Sequence, residues 1–244
     1  MIEIVTIEEF LMLFGAAGGT RAILPEFAVG AARDFAGPAG LPGAAALADA
    51  HRVLSGLLAR ELLHIKDGQA VPGAFALDYF TVFKNADRLL CSWPGDRDFA
   101  PAAAYVGYTA DGALRAAWLS GVAAQPGALG LRLMTLEELE EQLFEGVSPY
   151  LGPEGAFEAP PCGFDGYFAA APLLLALPEN AWVLDLCPVG HGDPSEHVKR
   201  RLLIKSSGIY PLVYQEGKRQ WLCEGGAASF HNYFGRLARE EESQ

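Results

Sequence analysis

Tyr105-Val106-Gly107-Tyr108-Thr109-Ala110-Asp111-Gly112-Ala113-Leu114-Arg115-Ala116-Ala117-Trp118-Leu119 reads as two strands joined by a tight turn. Ala110-Asp111-Gly112 between the two runs is a strong hairpin signal, and apolar residues crowd both sides of it. Working outward, the strand-like Arg88-Leu89-Leu90-Cys91-Ser92-Trp93 precedes the hairpin and another strand, 128–135, follows it. An amphipathic helix over 136–145 closes the set. Residues 86–145 thus hold strands at 88–93, 104–110, 113–121 and 128–135, then a helix. The same unit is written again over 181–241, with strands at 181–189, 198–206, 209–215 and 218–224 and a helix at about 227–240. Corresponding segments are offset by roughly 90–96 residues, far longer than a solenoid period. Ser206-Ser207-Gly208 and Gln215-Glu216-Gly217 supply the turns of the second copy. Turns this short cannot make parallel crossovers. The expectation is therefore an α/β fold with a central, mainly antiparallel sheet, a quasi-two-fold duplicated unit and flanking helices.

Four segments follow from this reading: an N-terminal helical region at 1–85, a first sheet-helix half at 86–145, a Pro/Gly-rich connector and helix at 146–180, and a second sheet-helix half at 181–244, together one domain. Thr6-Ile7-Glu8-Glu9 is a capping box, with Phe10, Leu13 and Phe14 at helical spacing behind it and Gly15 as a stop. A short helix fits around 26–35. Leu47, Leu54, Leu57, Leu58, Leu62 and Ile65 predict a long helix from Ala44 to Ile65, ending at Lys66-Asp67-Gly68. Residues 74–86 form another helix. Thr135-Leu136-Glu137-Glu138 is a second capping box, and Phe230, Tyr233, Phe234 and Leu237 make one face of the last helix.

Composition removes several classes of function. The chain carries 18 Lys+Arg against 30 Asp+Glu, a net charge of −12. Nucleic-acid binding needs clustered cations, and the longest cluster, Lys199-Arg200-Arg201, merely opens a strand. The same acidity argues against an anionic membrane surface. The N-terminus has no basic region followed by an apolar one, and the most apolar stretch, Tyr167 to Leu177, is broken by Pro172. A cytoplasmic location is the expectation. Cys91, Cys187 and Cys223 lie in apolar strands as reduced thiols, and Cys162 lies in a Pro/Gly loop.

Motifs for chemistry are weak. Gly15-Ala-Ala-Gly18-Gly19 lacks the strand before it and the spacing of a phosphate loop. His191, Asp193, Glu196 and His197 are metal-ligand types within one loop, but their spacing fixes no tetrahedral site; a metal-dependent enzyme using 187–197 is the alternative they leave open. A nucleophilic pair of Cys187 and His191 is disfavoured, because apolar surroundings raise a thiol pKa. No cofactor motif is present. His51 and His64 on the long helix and His231 on the last helix have no inferable partner. Aromatics outside the periodic elements are the better lead: Phe99, Tyr150, Phe157, Phe164 and Tyr167 would either lid the core or anchor a partner protein.

The layout of N-terminal helices, the strand Arg88–Trp93, the hairpin of Tyr105–Thr109 with Leu114–Leu119, a strand and a capped helix is repeated through Trp182–Val189, Arg201–Lys205, Ile209–Tyr214 and Gln220–Glu224. It resembles the EspG-like family, cytosolic chaperones associated with ESX, or type VII, secretion. The resemblance covers about residues 44–244 and is one of pattern. It implies a quasi-two-fold fold with an antiparallel sheet and helical flanks. It also implies a chaperone whose partner is a secreted protein of paired helical hairpins, held soluble before export. The Asp111-Gly112 hairpin is tighter than a substrate-gripping loop would be, so the resemblance assigns no binding residue. An immunity-type binding protein is a further alternative.

Overall fold

In the computed structural model, the described residues are 2–19, 24, 44–95, 100–122, 125, 127–152, 162–164, 179–189, 198–206, 212–217, 219–223 and 226–238. In chain order the elements are β1 (Glu3–Thr6), α1 (Ile7–Ala16), α2 (Ala44–Ala59), β2 (Leu63–Lys66), β3 (Gln69–Pro72), α3 (Ala74–Asn85), β4 (Arg88–Pro94), β5 (Ala102–Tyr108), β6 (Leu114–Gly121) and β7 (Ala128–Met134). There follow α4 (Leu136–Val147), a one-turn 3-10 helix (Ser148–Tyr150), β8 (Cys162–Phe164), β9 (Asn180–Pro188), β10 (Arg200–Lys205), β11 (Leu212–Glu216), β12 (Arg219–Cys223) and α5 (Ala227–Ala238). The fold is α/β, with antiparallel sheet flanked by helices. Along the chain, β4 to β7 lead into α4 and β9 to β12 lead into α5. The predicted helix at 26–35 lies outside the described residues.

The chain divides into two compact units, Met1–Asp87 with Ala102–Leu133, and Arg88–Pro101 with Met134–Gln244. In the first, strands run in the order β1-β7-β6-β5. Both ends of the Thr6–Glu9 capping box are made: Glu9 N–H donates to Thr6 Oγ1 at 3.2 Å and Thr6 N–H to Glu9 Oε2 at 2.9 Å. This sets the register of α1, so that Phe10 and Phe14 meet Phe80 and Phe83 of α3 in an aromatic cluster. Tyr105 of β5 packs against Phe83 from the sheet, the two rings tilted at 45°. Gly107 is required where α3 crosses β5, since a Cβ there would come within 2.8 Å of the Val82 carbonyl oxygen. Tyr79 is buried, and its hydroxyl donates to the Trp118 carbonyl at 3.0 Å. Burial pushes its phenol pKa well up, so it remains a donor.

Several helix boundaries differ from those the sequence suggests. The helix predicted to reach Ile65 stops at Ala59 in a Schellman motif: Leu62 N–H donates to the Leu57 carbonyl at 3.0 Å and Glu61 N–H to the Leu58 carbonyl at 3.1 Å. Glu61 takes the left-handed conformation, φ 58°, that glycine usually fills, and Leu57 and Leu62 are both buried. Lys66-Asp67-Gly68 is then a hairpin turn rather than a helix end. Asp67 and Gly68 have φ 53° and 76°, and Lys66 pairs with Gln69, a two-residue type I′ turn. His64 therefore lies on β2, not on a helix. Gly15 does not stop α1, which runs one residue further.

In the second unit the strand order is β4-β9-β10-β11-β12-β8, with every neighbouring pair antiparallel. Alternation gives this sheet two faces. Leu90, Ser92, Trp182, Leu184, Leu186, Leu202, Ile204 and Tyr214 share one face by register. The helices cover that face. Tyr233 of α5 packs against Tyr214 with the rings tilted, and Gly146 of α4 lies so close to Trp182 that a Cβ would come within 2.6 Å of the indole. Arg88 and Arg200 donate to the carbonyls of Ala238 and Arg236 near the α5 C-terminus, each at 3.0 Å, where the helix dipole favours cations. His231 finds a partner that sequence did not show: Glu140 Oε1 lies 2.8 Å from its Nδ1, tying α5 to α4.

Candidate functional site

The other face of the second unit's sheet carries a cleft of about 310 Å³. Its floor is two cross-strand rows. Cys91 of β4 lies opposite Asp185 of β9, which lies opposite Arg201 of β10. Trp93, Val183 and Leu203 form the next row, and Cys187 and Asn180 complete the lining. Strand alternation brings the two rows and Cys187 to one face, because each repeats every second residue, and a register shift at the end of β9 adds Asn180.

Asp185 is only 5 % exposed, inside the apolar run of β9. A carboxylate in that position is tolerable only when paired. Arg201 supplies the pair side-on, with Nε donating to Oδ1 at 2.5 Å and Nη2 to Oδ2 at 2.9 Å. These charge-assisted bonds hold the Arg201 pKa above its ordinary value. The arginine side chain stays about one-third open, at 36 % exposure. At one end of the cleft the register of β9 and β10 shifts between Ile204 and Lys205, which brings Lys205 to Asn180. Lys205 Nζ donates to Asn180 Oδ1 at 2.7 Å. Burial pulls the Lys205 pKa down. Cys91 and Cys187 are buried and not joined in a disulfide.

Of the residues singled out from sequence, Phe99, Phe157, Tyr167, His191 and His197 lie outside the described residues. Phe164 belongs to β8, and its side chain is outside them too. Tyr150 is half-buried in the turn that continues α4. Among the described residues, no group of three or more His, Cys, Asp or Glu is placed to hold a metal ion. Also among them, no helix is long and apolar enough to cross a membrane. Sequence reasoning passed over Asp185 and Arg201. The available signal was a lone acid inside Trp182-Val183-Leu184-Asp185-Leu186-Cys187, which demands a partner on a neighbouring strand.

The first unit offers a different kind of surface. Leu11 of α1, Ile65 of β2 and Leu77 of α3 are 49 %, 54 % and 50 % exposed. The three elements adjoin, since α1 and α3 both pack on β3, the partner strand of β2. Tyr108, at the end of β5 beside the Asp111-Gly112 turn, is also exposed. The outward edge of β1 is closed off. Arg60 Nη2 donates to the Ile4 carbonyl at 2.6 Å, and the same guanidinium pairs with Glu3 and Glu9 at 3.3 and 3.4 Å. Compared with known protein families and with characterised proteins, the sequence matches none.

Proposed function

We propose that the protein is a cytoplasmic protein-binding scaffold of the chaperone kind, which keeps a secretion substrate built of helical hairpins soluble before export. The observation that carries this reading is the set of aliphatic side chains left open on adjoining elements, Leu11, Ile65 and Leu77. The same helices bury Phe10, Leu13, Phe14, Tyr79, Phe80 and Phe83, so their cores are already filled. An apolar tip on a secreted helical hairpin needs such a cover to avoid aggregation. The net charge of −12 keeps a scaffold with exposed leucines dispersed by self-repulsion. The twice-written order of strands and helix, and the family layout it resembles, point to the same class of partner.

The test is a paired substitution, Leu11→Asp with Leu77→Asp, in a tagged chain expressed in its native host. The proposal expects the co-purifying partner to be lost while the melting temperature stays close to that of the parent, because neither side chain is in the core. Retention of the same partner at the same yield would refute this surface. Central aliphatic or aromatic anchors each contribute about 2 kcal/mol when they are hot spots, so the loss should be plain in a binding isotherm.

A further inference from the structure

The cleft on the sheet face opposite the second unit's helices has a use that is independent of the surface of the first unit. We propose that it is a binding site for a small monocarboxylate with a compact apolar body, the carboxylate seated on Arg201 and the body lying against Trp93, Val183 and Leu203. The guanidinium has five N–H donors in one plane. Asp185 takes the side-on edge, through Nε and Nη2, and so fixes the plane of the group. The end-on edge, one N–H of Nη1 and the second N–H of Nη2, remains. Among the described residues no acceptor bonds to Nη1. Two parallel N–H groups on a fixed plane match the two oxygens of a carboxylate.

The rest of the cleft repeats the same preference. Lys205 can only donate, so the atom of Asn180 that faces it must be the amide oxygen. The Asn180 amide N–H groups are then the ones left for the cleft. Arg201 and Asp185 cancel each other's charge, and Lys205, bonded to Asn180, adds one positive charge at the far end of the cleft. The site therefore presents N–H donors, a single net positive charge and apolar walls. A volume of about 310 Å³ lies at the lower end for small-ligand sites, which suits an aryl or short alkyl acid rather than a nucleotide. A dianion would leave one charge uncompensated, and a neutral amide would set its own N–H group against the donors of Arg201.

The experiment titrates the whole chain with phenylacetate and, as the neutral isostere, phenylacetamide, followed by calorimetry. Phenylacetate should bind at least about tenfold more tightly than the amide. Two variants locate the site. Arg201→Lys keeps a cation beside Asp185 but loses the fork, and should weaken phenylacetate about tenfold or more. Leu203→Trp fills the cleft with the ion pair intact, and should abolish binding while the far-ultraviolet circular dichroism stays that of the parent. Equal affinity for acid and amide, no saturable binding at millimolar phenylacetate, or unchanged binding in Leu203→Trp would each overturn the assignment.

Discussion

The indole N–H of Trp182 donates to the hydroxyl of Ser92 at 2.7 Å, with both residues buried between the second unit's sheet and its helices. Ser92 is the one polar side chain on that part of β4, and the bond explains why it is there. Replacing it leaves an indole donor in an apolar seam. Ser92→Ala should cost about 1–3 kcal/mol of unfolding free energy, measured by chemical denaturation. Trp182→Phe in the Ser92→Ala background should cost less than in the parent, because the bond between the two side chains is already gone. Full additivity of the two changes would show that the bond contributes nothing.

Glu61 occupies a position whose backbone suits glycine. A residue with a Cβ in the left-handed region carries a strain of about 1 kcal/mol or slightly more. Glu61→Gly should relieve it and raise stability by up to about 1 kcal/mol, less the extra freedom that glycine gains in the unfolded chain. Thermal unfolding of the two proteins is the check, and a lower midpoint for the variant would contradict the Schellman geometry.

Asp111 closes the hairpin that decides the fold. The Thr109 hydroxyl bonded to its carboxylate, followed by backbone N–H groups at Ala113 and at Asp111 itself, holds the Asp111 pKa below its ordinary value. A depressed folded pKa stabilises the turn above the unfolded pKa, and that contribution is lost as pH falls through the folded pKa. Thr109→Val should therefore move the Asp111 titration up toward the ordinary carboxylate range, read from its carboxyl carbon shift. No movement would mean that the hydroxyl does not hold the charged form.

Arg60 covers a strand edge. With the Ile4 carbonyl bonded to it at 2.6 Å, β1 has no free acceptor there for an incoming strand. Arg60→Ala should expose the edge together with the half-exposed Ile4 side chain, and produce concentration-dependent self-association by sedimentation. A variant that stays as dispersed as the parent at every concentration would show that Arg60 is not what protects β1.

Local chemistry explains which elements were legible in the sequence. The Asp111-Gly112 turn and both capping boxes are written in residues three apart or fewer, and the structure makes them as read. Lys66-Asp67-Gly68 misled because a cation followed by Asp-Gly suits a helix end and a type I′ turn equally. The true end of α2 is hidden by a glutamate where a glycine is expected. β1 has only four residues and no turn before it, so nothing in the pattern announces it. The cleft was illegible for another reason: Asp185 and Arg201 are sixteen positions apart and meet only through the register of β9 and β10. The aromatics favoured from sequence sit largely in 146–180 and near 99, where the structure describes few side chains.

Site-directed photo-crosslinking in the native host tests the central claim most directly. A photoreactive phenylalanine is placed in turn at Leu11, Ile65 and Leu77, with the exposed Glu141 on α4 as control. If the protein is a chaperone that covers an export substrate, all three positions capture the same helical protein and Glu141 does not. Adducts with unrelated proteins at each position, or the same adduct at Glu141, would contradict the account.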